Sequence, residues 1–219
     1  MKSWHPISLI ANKVAVLSGY RLELLASNDV RGMIQKLMTW YPDLVVGSES
    51  CHLREDFYFT DVYMNVDAHR DIYVCAIKTD VENEIIGMFS FQRNDDARTL
   101  LGRLCVVAPE HRHVGVAQIS LPFIEEMGLA IGAELLMQVT TLKIPYSQMM
   151  VERAGYKLVG IIPAHDRDMI KPGEIKRVYE AMYVKVLAKD DLIVMPSCES
   201  LTPQTRALMD YLFRENPLL

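Results

Sequence analysis

The chain has 219 residues, half of them hydrophobic and 23% charged, the profile of one generous globular domain rather than a disordered chain. Its net charge of −5 supplies no broad positive field for a nucleic-acid backbone, and no stretch approaches the length that spans a bilayer. Cys51, Cys75, Cys105 and Cys198 form no CxxC pair and no Cys/His cluster with zinc spacing. Free thiols in a reducing, cytoplasmic compartment and no metal site are therefore expected.

Residues 1–19 read as an N-terminal extension of undecided state, without the charged start and small-residue cleavage site of a leader. YRLELL (20–25) alternates as a short strand, and Ser27, Asn28 and Asp29 start a helix with Val30, Ile34, Leu37 and Met38 on one stripe. Pro42 and Gly47 close it. Residues 48–67 mix charge with aromatics and read as helix and irregular loop. IYVCAIK (72–78) and IIGMFSF (85–91) form a hairpin, and LLGRLCVV (100–107) is a third strand stopped by Pro109.

A loop follows, then a helix from about Val114 whose interior holds Pro122, so a kink or a different first turn is expected. LLMQVTTL (135–142) is the next strand. Pro145 opens a short helix that Gly155 ends. YKLVGI (156–161) is a strand, residues 163–174 read as a polar loop, and Ile175–Leu187 is a long last strand. In the tail, 188–219, Thr202 and Pro203 cap a helix that would turn Ala207, Leu208, Tyr211 and Leu212 inward. The order β-α-α-β-β-β-α-β-α-β-β describes a mixed sheet with helices packed on it.

The segment LCVVAPEHRHVGVAQ (104–118) carries the chemistry. A strand, a short loop and a helix start bring several N–H groups together with the positive helix end, which is how phosphate is cradled. Gly115 lets the main chain approach, and Arg112 and His113 add cationic donors.

Here the chain resembles the GNAT N-acetyltransferases, whose pyrophosphate loop reads (Arg/Gln)-x-x-Gly-x-(Gly/Ala). Arg112-His113-Val114-Gly115-Val116-Ala117 matches it in full, and VERAGYKLVG (151–160) and VYEAMYVKVL (178–187) are similar to the family's later elements. The resemblance covers residues 20–187. It implies an α/β GNAT fold with a mixed central sheet of about six or seven strands flanked by helices. It also implies acetyl transfer from acetyl-CoA to an amine of a small-molecule or peptide acceptor. A longer acyl donor on CoA or a carrier protein, and an acyl-CoA-binding protein without turnover, are the alternatives.

By the same resemblance, Cys105, Val106 and Val107 would bond the pantetheine arm through their main chain. Residues His113 to Gln118 (Val114, Gly115, Val116 and Ala117 between them) would wrap the pyrophosphate, with Arg112 at its edge. The family's usual tyrosine acid falls on Val151, its CoA-contacting asparagine on Ile144 and its strand glutamate on Val139. Tyr146 is the nearest substitute acid. His165, Asp166 and Arg167 are the candidates for acceptor binding, facing an opposite wall that carries Glu49, Glu55, Asp56 and Asp61. A homodimer fits this class of fold.

Overall fold

The computed structural model describes residues 1–64 and 70–213, so the end of the expected 48–67 wall lies outside the described residues. Seven strands form one sheet in the order β1-β2-β3-β4-β5-β7-β6. They are β1 (Tyr20–Leu24), β2 (Ile72–Thr79), β3 (Ile85–Asn94), β4 (Thr99–Val107), β5 (Leu135–Thr141), β6 (Lys157–Lys171) and β7 (Glu174–Val186). β4 and β5 pair in parallel and every other neighbour is antiparallel.

The helices divide between the two faces. α1 (Ile7–Ala11), α4 (Ser120–Ile131) and α5 (Tyr146–Arg153) cover one face, where Ile10, Phe123, Ile124, Met127 and Val151 pack on Phe89, Phe91 and Leu136. α2 (Val30–Trp40) and α3 (Glu55–Thr60) cover the other, where Val30, Met33, Leu37, Phe57 and Tyr58 pack on Val74, Met88 and Val106. Alternation along strands buried on both sides assigns successive side chains to the two cores.

The N-terminal residues belong to the first core. Trp4 stands edge-on to Tyr73 and Phe91, lies under the Arg93 guanidinium at 4.9 Å and donates from Nε1 to the Arg70 carbonyl. Nothing in the composition of residues 1–19 marks that anchor.

Three elements differ from the sequence reading. Residues 163–174 are strand rather than loop. β6 runs through them to Lys171, turns at Gly173 (φ 79°) and returns as β7. The register shift between Ile162 and Asp166, with Ala164 at φ 54°, bends this polar ribbon, and a bulged ribbon with both faces wet has no hydrophobic alternation to read. Next, the helix after the loop does not begin at Val114. Gly115 is left-handed, a single tight turn spans Val116–Ile119, and α4 starts at Ser120. Pro122 then falls in the first turn, where its missing N–H has no intrahelical acceptor to lose.

The tail helix α6 (Pro203–Phe213) forms, with Thr202 Oγ1 accepting from the Thr205 N–H at 3.2 Å, but its apolar side is not inward. Leu208 is 54% and Tyr211 82% exposed, Ala207 is exposed and Leu212 is half-buried. Periodicity says which face of a helix is apolar and not what covers it.

Candidate functional site

The parallel pair β4–β5 closes for four registers only, Thr99↔Leu135 to Gly102↔Gln138. Beyond Gly102 the strands part, and β4 continues from Arg103 to Val107 with a neighbour on the β3 side alone. The Leu104 N–H reaches Ser90 Oγ and the Ala108 N–H reaches the Ile86 carbonyl, both on β3. By alternation, Val106 also turns its main chain to β3, while Cys105 and Val107 turn theirs into the gap.

A cavity of about 800 Å³ occupies the gap on the α4/α5 side. Cys105, Val107, Arg112, His113, Gly115, Val116, Ala117, Gln118 and Tyr146 line it, together with Tyr41, Met149 and Met150. Val106 is buried in the opposite core, and Val114 is 55% exposed on the loop.

At the mouth, His113 (φ 66°) and Gly115 (φ 92°, ψ 1°) are both left-handed. Alternating handedness turns successive N–H groups to the same side, the concave arrangement that binds anions. The N–H groups of His113, Val114, Gly115, Val116 and Ala117 have no acceptor among the described residues. Gly115 is required by conformation, since a Cβ there would meet only Leu17 at 3.8 Å and Gln118 at 3.9 Å.

Arg112 is committed to the protein. Its Nε donates to the Val107 carbonyl at 3.0 Å, its Nη2 to the Trp40 carbonyl at 3.2 Å, and the guanidinium lies 4.6 Å over the Tyr41 ring. His111 Nδ1 meets the Tyr20 hydroxyl at 3.0 Å, which ties the loop to β1. Tyr146 opens α5, is 63% exposed and stands edge-on to His113 with ring centres 6.5 Å apart. Val151 is buried in the core. Burial pushes the Cys105 thiol up to about 11, with the Ser120 hydroxyl working the other way, so it is a poor nucleophile.

The α2/α3 side carries a second group. Asp166 on β6 accepts from the Ser48 N–H and hydroxyl and from the Arg167 N–H. Burial works to raise its pKa, but these donors outweigh it and hold it below the usual carboxylate range. A cavity of about 470 Å³, lined by Val45, Ser48, Ser50, Asp166, Arg167 and Ile175, lies there. His165 is set apart from it on Glu180 of β7, at 2.5 Å. Glu55 pairs with Arg31 on the exposed surface.

Glu49, beside Ser48, meets Arg103 of β4 at 3.2 Å, and Arg103 continues to Gln92 Oε1 and Cys51 Sγ. His52 is fully buried, with Nδ1 3.1 Å from the Glu49 carbonyl and Nε2 2.9 Å from Ser90 Oγ. Burial raises the Glu49 carboxyl, Arg103 opposing, and lowers His52 to about 3. Glu49, Cys51 and His52 are close enough to share a metal ion, but the Arg103 guanidinium already bonds the first two and Ser90 the third.

Sequence reasoning brought together the loop, the Cys105–Val107 strand and Tyr146. It did not find Tyr41, Arg103 or Gln138. None of the three carries a local motif; Tyr41 comes from the end of α2, Arg103 from β4 and Gln138 from β5.

No family model and no curated protein matches the sequence. The fold has many solved counterparts. The ribosomal-protein-S5-alanine acetyltransferase of Vibrio fischeri superposes with a TM-score of 0.63 at 13% identity, over 83% of this chain and 99% of its own. RimL, a ribosomal-protein α-N-acetyltransferase in complex with coenzyme A, gives 0.63 at 12%, over 81% and 99%. A mutant of the spermidine N-acetyltransferase SpeG of Vibrio cholerae gives 0.61 at 12%, over 78% and 95%. The chain has the fold of the GNAT acetyltransferases.

Proposed function

We propose that the protein is an acyl-CoA-dependent N-acetyltransferase that takes the acetyl group of acetyl-CoA to an amine of a small molecule or a peptide. The observation that carries this reading is one continuous feature. A row of unpaired N–H groups at His113–Ala117 opens onto the half of β4 that β5 has left, along a single cavity of about 800 Å³. A diphosphate suits the N–H row, and an extended amide-bearing arm suits the free side of a strand.

In this reading His113 to Gln118 hold the diphosphate. Cys105 and Val107 offer main-chain groups to the arm, while Arg112 braces the loop. The acceptor amine approaches from the other face, past Asp166 and Arg167, toward the end of the β4–β5 pairing. It gives up one proton to bulk water before it attacks the thioester carbon. The C–S bond breaks with its electrons left on sulfur, and the second proton of the nitrogen passes through water to replace the one the thiolate takes. Tyr146, which lines the cavity, is the proposed proton donor to the departing thiolate. The unpaired cysteines fit a reducing compartment such as the cytoplasm. The structural neighbours named as acetyltransferases of spermidine and of ribosomal proteins give the acceptors to try first.

The test is calorimetric titration with acetyl-CoA, longer acyl-CoAs and free CoA. Micromolar binding of acetyl-CoA is expected, followed by CoA release in the presence of an acceptor amine. Failure to bind any of the three ends the reading.

A further inference from the structure

Among the described residues, the buried side-chain polar atoms with no hydrogen-bond partner are Gln138 Nε2, Thr140 Oγ1, Ser147 Oγ and Tyr156 Oη. All of them come from β5, from the facing helix α5, or from the residue just before β6. Gln138 is 8%, Thr140 6% and Tyr156 2% exposed. A buried donor without a partner is costly, and native folds keep very few, so their collection in one place points to a function.

Gln138 stands at the vertex of the gap, opposite Gly102 in the last β4–β5 register. Gly102 makes room for it, since a Cβ there would lie 2.2 Å from both the Nε2 and the Oε1 of Gln138. The amide therefore lies over the β4 main chain where any other residue would have a side chain. Gly102 and Cys105 pair with Phe91 and Phe89, two residues of one face, so Cys105 is the next β4 side chain along from the amide. Cys105 also lines the cavity. The lining of the cavity on β4 ends at Cys105 and does not include Gln138, whose amide stands one β4 side chain further along.

We propose that Gln138 is a further catalytic residue, whose side-chain N–H donates to the carbonyl oxygen of the acyl thioester, and that Tyr156 is the positioning residue behind it. This rests on the acyl-CoA reading above. As the amine nitrogen bonds the carbonyl carbon, negative charge grows on that oxygen, and the amide stabilises it without itself gaining or losing a proton. The charge returns as the C–S bond breaks. Burial pushes the Tyr156 hydroxyl well up, so it stays a neutral neighbour of the Gln138 amide, near it but without the geometry of a hydrogen bond.

The test uses the full chain with Gln138→Met, which keeps length and removes the donor, and Tyr156→Phe. Each is titrated with acetyl-CoA and with free CoA, and its thermal midpoint is measured. Gln138→Met should bind free CoA like the parent and acetyl-CoA about two- to tenfold more weakly, the loss of one hydrogen bond. Its midpoint should hold or rise, because an unsatisfied group has gone. Tyr156→Phe should give a smaller loss of the same acetyl preference. An unchanged acetyl-to-free ratio in Gln138→Met, or equal weakening of both ligands with a lower midpoint, overturns the proposal and leaves the acyl-CoA reading standing. A parent protein that binds neither ligand sinks both.

Discussion

Tyr41 holds both main-chain polar groups of Val107, its hydroxyl 3.2 Å from the carbonyl and 3.3 Å from the N–H. Those groups face the gap, on the side of β4 that an extended ligand would use. They are satisfied from the end of α2 and by Arg112, which donates to the carbonyl and stacks on the same ring. The hydroxyl thus competes with a ligand for the strand. Tyr41→Phe keeps the ring under Arg112 and removes the competitor. It should tighten CoA binding about two- to tenfold by calorimetry, the worth of one ordinary hydrogen bond. Weaker binding would make the hydroxyl a ligand contact.

Gly115 offers a second test, because its surroundings and its conformation make different demands. Space is available for a methyl group, but φ 92° is not open to an L-residue without strain. Gly115→Ala should therefore cost about 1–2 kcal/mol in the left-handed loop conformation. CoA affinity should fall by roughly tenfold or more, with the thermal midpoint little changed if the loop relaxes. Normal binding in this variant would show that the loop does not hold the diphosphate.

Tyr146→Phe separates acid from contact. Removing a hydroxyl that protonates the departing thiolate should lower kcat by about 10²-fold or more and leave CoA affinity intact. The ring would still face His113. A raised KM with unchanged kcat would instead make Tyr146 a wall of the CoA site.

The parts legible in the sequence were those whose cause is local. Gly115 between a hydrophobic strand and an amphipathic helix announces a strand–loop–helix junction, and the order of strands and helices follows from apolar runs and breakers. Gln138 and Tyr156 announce nothing, because their meaning comes from Gly102 across the β4–β5 vertex and from the absence of partners. Tyr41 reaches Val107 from 66 residues away. The 163–174 ribbon was illegible for a different reason, being held by main-chain pairing to β7 with no buried face to impose a period-two pattern. Trp4 needed knowledge of the Tyr73–Phe91 slot that it fills.

The tail gives a prediction about stability. Ala188 donates to the Glu134 carbonyl at the end of the sheet, but no residue of α6 is buried. Ending the chain after Lys189 removes no core contact among the described residues. The truncated protein should keep its thermal midpoint to within the effect of about 0.5 kcal/mol, the usual range for surface changes. A large drop would mean that the exposed Leu208 and Tyr211 face is covered in solution, and sedimentation of the full chain would then show a larger species.

His52 predicts how stability depends on pH. Its folded pKa is lowered to about 3 because the ring is buried between Ser90 and the Glu49 turn, against an ordinary value of 6.5. The unfolded chain therefore binds a proton between those limits that the folded chain refuses. Stability is fully present above pH 6.5 and is lost as pH falls toward 3, by up to about 1.4 kcal/mol per unit. Glu49 has the opposite sign, because burial raises its folded pKa and the folded state keeps a proton above the ordinary 4.5 that the unfolded chain releases. The two windows overlap above pH 4.5, so the share of the imidazole is read as the difference between the parent and a variant that lacks it. His52→Gln, which retains a polar side chain without the titration, should flatten that slope even if it lowers stability at neutral pH. Parallel curves for the two proteins would mean that His52 is not the buried neutral ring that the Ser90 and Glu49 contacts describe.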